Sequence, residues 1–149
     1  MKILVDADAC PVAIKTILFK AADRAKVHVH LFANHGIKVP PSPFIRFSQV
    51  GAGFDVADHE IVKQVCDGDI VITQDIPLAD EVISANATAI TPRGELLTAA
   101  NIKSRLNMRD FMDTLRSSGV QTGGPAPLSQ QDKQQFANHL DRLLAKRQN

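Results

Sequence analysis

Apolar residues along this chain fall into short runs that alternate with longer stretches at helical spacing. Residues 3–5 form an apolar run that stops at Asp6, with Pro11 shortly after, which predicts a buried strand over Lys2–Val5 and then a helix start. Ile14, Ile17, Leu18, Ala21 and Ala25 then recur at helical spacing, opposite Lys15, Lys20 and Arg24. Val27–Phe32 alternates apolar residues with His28 and His30 and predicts a second strand. A Pro- and Gly-rich loop follows over Asn34–Pro43, and a further short strand over Phe44–Val50. Asp55, with Asp58 three residues on, opens a helix that runs to about Val65. Asp69–Thr73 reads as a buried strand, Ile76–Ser84 as a helix and Ala87–Thr91 as a strand. Asn101–Ser118 carries Ile102, Leu106, Phe111, Met112 and Leu115 on one side and ends at Gly119. Residues 119–128 read as a linker, after which Ser129 and Asp132 cap a last helix bearing Phe136, Leu140, Leu143 and Leu144.

Strands alternating with helices imply right-handed βαβ units. The expected fold is a three-layer α/β/α, Rossmann-like domain with a mostly parallel sheet of about five strands. Its body covers residues 1–118. Residues 119–149 supply the linker and a C-terminal helix, packed on the same domain or on a partner. The 149 residues suit one domain, and no apolar run approaches the roughly 20 residues of a membrane span. No export signal is seen, and Cys10 and Cys66 are too few for a disulfide framework, so a reducing cytoplasm is the expected location. With 17 basic and 16 acidic residues, the balance excludes neither nucleic acid nor small molecules. Any base-stacking surface must come from Phe, His or Arg, because Trp and Tyr are absent.

Two strands end in acids. The first gives Asp6 and Asp8; the second gives Thr73 and Asp75, with Asp80 five residues later. In a doubly wound sheet, chemistry gathers at the carboxyl ends of the strands. If these strands are neighbours, Asp6, Asp8 and Asp75 converge and repel, and an all-oxygen site of this kind suits Mg²⁺ or Mn²⁺. Such ions activate water against a phosphodiester. The plain alternative makes each acid a helix cap: Asp8 and Asp75 at helix N-termini, Asp55 and Asp58 as N-cap and N3 residues, Asp69 a turn residue. No capping requirement asks for both Asp6 and Asp8. Cys10 reads as a small buried thiol, His28 and His30 as a solvated strand face, and His35 and His59 as isolated. Lys103, Arg105, Arg109 and Arg116 crowd one helix behind Arg93. Because that helix follows a strand, its start at Asn101 is expected on the rim that holds the acids, where Lys103 would hold a phosphate.

The segments VDADACPV (5–12), GFDVADHEI (53–61), GDIVITQDIPLA (68–79), TPRG (91–94) and GGP (123–125) before the terminal helix together resemble the YaiI/YqxD family of bacterial proteins. The resemblance runs from the first strand to the last helix and implies a PIN-like domain, similar to metal-dependent ribonucleases. It implies that Asp6 or Asp8 is the strand-end acid, Asp58 or Asp55 the helix acid, Asp75 the acid of a T-x-D motif with Thr73, and Asp80 the last acid. The double Asp followed by Cys-Pro departs from the single strand-end acid of PIN nucleases.

The leading expectation is therefore a Mg²⁺- or Mn²⁺-dependent nuclease acting on RNA. Asp6, Asp8 and Asp75 are its catalytic acids, with Asp58 and Asp80 as further ligands. Thr73, Asn101, Lys103, Arg105 and Arg109 bind substrate. One alternative is a haloacid-dehalogenase-type phosphatase with Asp6 as nucleophile and Asp8 as acid/base. Another is a module that grips RNA or a protein without cutting. RNA is the expected partner, a membrane is not, and the pattern says nothing of oligomeric state.

Overall fold

A computed structural model describes residues 1–51, 56–107 and 127–146. The apolar run at the N-terminus becomes β1 (Lys2–Asp6), and a 3-10 turn over Ala7–Ala9 leads into α1 (Val12–Ala25), with Pro11 at its N-cap. β2 (His28–Ala33) pairs in parallel with β1 from Lys2↔His28 to Asp6↔Phe32. The Pro-rich loop returns the chain to β3 (Ile45–Gln49), parallel to β2. From there α2 (Val56–Gln64) carries the chain across the sheet to β4 (Ile70–Ile72), which pairs with the free side of β1. α3 (Ile76–Ser84) and β5 (Thr88–Ile90) extend the sheet further in parallel. The observed order is β3-β2-β1-β4-β5-β6.

The sixth strand is a departure from the sequence reading. β6 (Leu96–Leu97) pairs antiparallel with β5 and is only two residues long, too short for an alternating pattern to register. It leads into the next helix, α4, whose described part is residues 102–107. β6 runs back from the carboxyl ends of the parallel strands, and the Asn101 side chain returns to the carbonyl of Leu96, the residue paired with Ile90.

Alternation along the strands divides the core in two. Ile3 and Val5 of β1, Val29 and Leu31 of β2 and Ile70 and Ile72 of β4 pack with Ile14 and Leu18 of α1. Leu4, Phe32, Val71 and Ala89 face the other way, onto Ile61 of α2, Leu78 and Val82 of α3 and Ile102 of α4. The result is three layers, with the sheet buried on both faces as parallel sheets require. No helix among the described residues is long and apolar enough to cross a membrane.

The C-terminal helix α5 (Gln130–Lys146) begins in a reciprocal cap. The Asp132 N–H donates to Ser129 Oγ at 3.0 Å, and the Ser129 N–H donates to Asp132 Oδ2 at 3.0 Å. Phe136, Leu140 and Leu144 enter the same core as α1, and Arg24 of α1 pairs with Asp141 at 2.6 Å. The TPRG segment is the clamp that holds this helix. Arg93 bonds Asp132 at 2.7 Å, and His139 Nδ1 donates to the Gly94 carbonyl at 2.6 Å. Gly94 has a φ of +87°, and a Cβ there would lie 2.5 Å from the backbone nitrogen of Phe136.

Two glycines separate backbone strain from this packing. Gly68 also has a positive φ (+86°) but has open space around it, so Gly68→Ala should cost only the strain, about 1–2 kcal/mol. Gly94→Ala adds overpacking of about 1–3 kcal/mol. In urea unfolding, Gly94→Ala should be the more destabilised of the two; equal losses would mean that α5 is not clamped on this turn.

Candidate functional site

The winding of the sheet reverses between β1 and β4, because the chain leaves β1 toward β2 on one side and returns through α2 to β4 on the other. Connections diverge at such a point and leave a crevice at the carboxyl ends of the two strands. Asp6 ends β1 and Thr73 follows β4, and the buried Thr73 hydroxyl donates to Asp6 Oδ2 at 3.1 Å. The same hydroxyl oxygen accepts the Asp75 N–H at 2.9 Å, so one threonine links both acids. Gln74 adds a second tie by donating from Nε2 to the Ala9 carbonyl at 3.0 Å.

Electrostatics single out Asp6. Burial pushes its carboxyl above the ordinary range, the Thr73 hydroxyl opposes this, and repulsion from Asp75 and then Asp8 adds to the rise. No described cation acts on it. Asp75 is the N-cap of α3, its Oδ1 accepting the Leu78 N–H at 3.0 Å, so the capping reading holds for this acid beside its place near Asp6. Asp8 does not cap a helix with its side chain. Its carboxylate accepts the Asn34 N–H at 3.0 and 3.3 Å and lies 2.8 Å from His35 Nδ1. Asp58 sits in the first turn of α2, which starts at this same edge, and Asp80 lies half-buried one turn into α3. Asp55, Arg109, Arg116 and the GGP segment lie outside the described residues, as do the linker through residue 126 and the continuation of α4 beyond 107.

A hard divalent cation fits this donor set: half-buried carboxylate oxygen, neighbouring acids that repel it and no described basic group to relieve them. Among the described residues, no group of three or more His, Cys, Asp or Glu side chains stands ready to enclose an ion.

The basic helix is placed differently. Asn101 uses its side chain locally, accepting the Thr98 N–H at 2.8 Å and donating to the Leu96 carbonyl at 3.1 Å. Arg105 pairs with Glu95 at 3.0 Å, and Lys103 is exposed. Ile102 anchors this helix in the core layer that also holds Leu78 and Val82 of α3. Cys10 is buried, which bears out a small buried thiol, and loss of solvation pushes that thiol up to about 12.

Several residues were not legible. His35, read as isolated, meets Asp8. The parallel register that sets Asp6 beside Phe32 brings Asp8 to the residues just after β2, and that pairing was the signal available. Asp69, read as a turn residue, is 2% exposed and holds Lys2 Nζ at 2.6 Å, the Lys2 N–H at 3.1 Å and the Cys66 N–H at 2.8 Å. Burial alone would lower the Lys2 ammonium, but its bond to Asp69 and the charge there leave it raised. His30 is not on a solvated face: it is half-buried, stacks on Phe32 and hydrogen-bonds Ser48 at 2.7 Å.

Residues 4–146 match the family model described as "Uncharacterized BCR, YaiI/YqxD family". The chain belongs to this family. Among YaiI/YqxD relatives, a UPF0178 protein of Colwellia psychrerythraea is 67% identical over 97% of this chain and 95% of its own length. One of Halorhodospira halophila is 68% identical over 99% and 97%, and one of Shewanella amazonensis 65% identical over 98% of each. No solved structure matches this YaiI/YqxD chain.

The raised Asp6 carboxyl gives a signed prediction. A carboxyl raised in the folded state favours folding while protonated and opposes it once ionised, so its contribution is lost as pH rises through the folded value. In metal-free buffer at pH about 7, Asp6→Asn should therefore melt higher than wild type, since Asn still accepts the Thr73 hydroxyl. The difference should shrink as pH falls toward the ordinary carboxylate value of 3.8. A variant that is no more stable at neutral pH, or a gap that ignores pH, contradicts the repulsion.

Proposed function

We propose that this YaiI/YqxD protein is a PIN-like, Mg²⁺- or Mn²⁺-dependent phosphodiesterase acting on RNA, with its reacting centre in the β1–β4 crevice. The observation that carries this reading is the Thr73 bridge, which ties Asp6 and Asp75 together at the switch point of the sheet with no described cation to relieve their charge. In this reading Asp6, not Asp8, is the strand-end acid, because Asp8 is engaged by Asn34 and His35. Asp6 and Asp75 would hold the ion, with Asp58 and Asp80 approaching from the first turns of α2 and α3. A bound ion would supply charge neutralisation at the phosphodiester and an activated water.

The protein's own groups do the orienting. Thr73 fixes the Asp6 carboxylate by donating to Oδ2, so the remaining oxygen, which has no hydrogen-bond donor among the described residues, faces the ligand. The α3 N-terminus fixes Asp75 through Leu78. Lys103, exposed on α4, would meet the phosphate backbone away from the reacting group, with an affinity that falls as salt rises.

The phosphatase alternative is less well supported. That reading needs Asp8 as acid/base, whereas its carboxylate is engaged by the Asn34 N–H and by His35. A non-cutting RNA-binding role draws on one observation, that no group of three ligands is assembled among the described residues.

Manganese binding and RNA cleavage, measured together, test the proposal. Wild type should bind Mn²⁺ saturably and cleave single-stranded RNA only with metal, and Asp6→Asn and Asp75→Asn should each weaken Mn²⁺ by about tenfold or more. Unchanged Mn²⁺ affinity in both variants sinks the metal site. Metal and RNA binding without turnover favours the non-cutting role.

A further inference from the structure

The His28–His30 stripe lines a groove at the opposite end of the sheet from Asp6. Of about 860 Å³, the groove opens where β1, β2 and β3 begin, beside the C-terminal end of α2. That volume falls in the range of small-molecule sites, roughly 300–1,000 Å³. An ion pair lies at its base. Asp69 is buried there and its charge is matched by Lys2 at 2.6 Å, so neither is available to a ligand.

The open groups lie on the β2–β3 side. His28 is exposed and without a hydrogen-bond partner among the described residues, and its ring lies 5.4 Å from that of Phe44 at 52°. Together they make an aromatic wall. Arg46 pairs in register with His30, is exposed, and has neither an ion-pair nor a hydrogen-bond partner among the described residues. A guanidinium with free donors binds phosphate in a forked geometry, and heteroaromatic bases pack against such rings. Burial and the neighbouring Arg46 hold His30 toward its neutral form. Asp67 also lines the groove and repels extra negative charge. Outside the Lys2–Asp69 pair, the lining carries Arg46 and the Met1 amino group against one carboxylate, a balance that suits a single phosphate group better than a polyphosphate.

We propose that this groove binds a nucleoside monophosphate, its base against His28 and Phe44 and its phosphate on Arg46. This goes beyond the chemistry proposed at Asp6 and does not depend on it.

The test is a titration of the isotopically labelled full chain with adenosine monophosphate, followed through its backbone amide resonances. Adenosine and inorganic phosphate serve as separate arms. Saturable shifts are expected at residues 28–30 and 45–47, with adenosine and phosphate each binding more weakly than the nucleotide. Arg46→Gln, at an exposed position, should weaken the nucleotide by about tenfold and leave adenosine unchanged. Phe44→Leu should weaken both, and melting curves check that each variant is folded. The assignment is overturned if these residues do not shift at millimolar nucleotide, or if shifts occur only at the Asp6 end. Phosphate alone binding as tightly as the nucleotide, or Arg46→Gln leaving its affinity unchanged, overturns it equally.

Discussion

The parallel pairing of β1 with β4 is the contact on which the rest of this molecule depends. It joins strands almost 70 positions apart and requires α2 to carry the chain across the sheet. Both core layers form around these strands: odd positions of β1 face α1 and α5, while Leu4 faces α2 and α3. The pairing also decides where chemistry can gather. With β4 beside β1, Asp6 and Thr73 must come to the same edge, and the hydroxyl between them turns two strand ends into one site.

The two edges of the sheet differ in character as a consequence. At the carboxyl ends the groups that converge are acids, crowded enough to disfavour the charge on Asp6. At the starting ends the buried acid, Asp69, is paired with Lys2, and the groove beside it is lined by the Arg46 guanidinium, the rings of His28 and Phe44, and Asp67. We propose a hard cation for the first edge and a planar, singly phosphorylated ligand for the second.

Much of this arrangement could be read from the chain. The apolar runs ending at Asp6 and Thr73, the helix pattern around Ile14 and Leu18, and the Ser129–Asp132 pair all follow from local chemistry, and the structure bears them out. What was missed depends on long-range contacts. Leu96–Leu97 forms a strand only because β5 lies beside it. His35 gains meaning only through Asp8, 27 positions earlier, and Asp69 only through Lys2. Arg93 and Gly94 of the TPRG segment hold the terminal helix, through Asp132 and His139 some 40 positions on. In each case a polar residue's partner lies far away in sequence, where periodicity carries no signal.

The central claim is that the crevice between β1 and β4 is built to hold a divalent ion against Asp6. The most direct measurement is anomalous diffraction from crystals of the protein grown with Mn²⁺. The account predicts a peak in this crevice about 2.1 Å from an Asp6 carboxylate oxygen, with Asp75 on its other side and water completing the coordination. An empty crevice under saturating Mn²⁺, with Asp6 still bonded to Thr73, would contradict it.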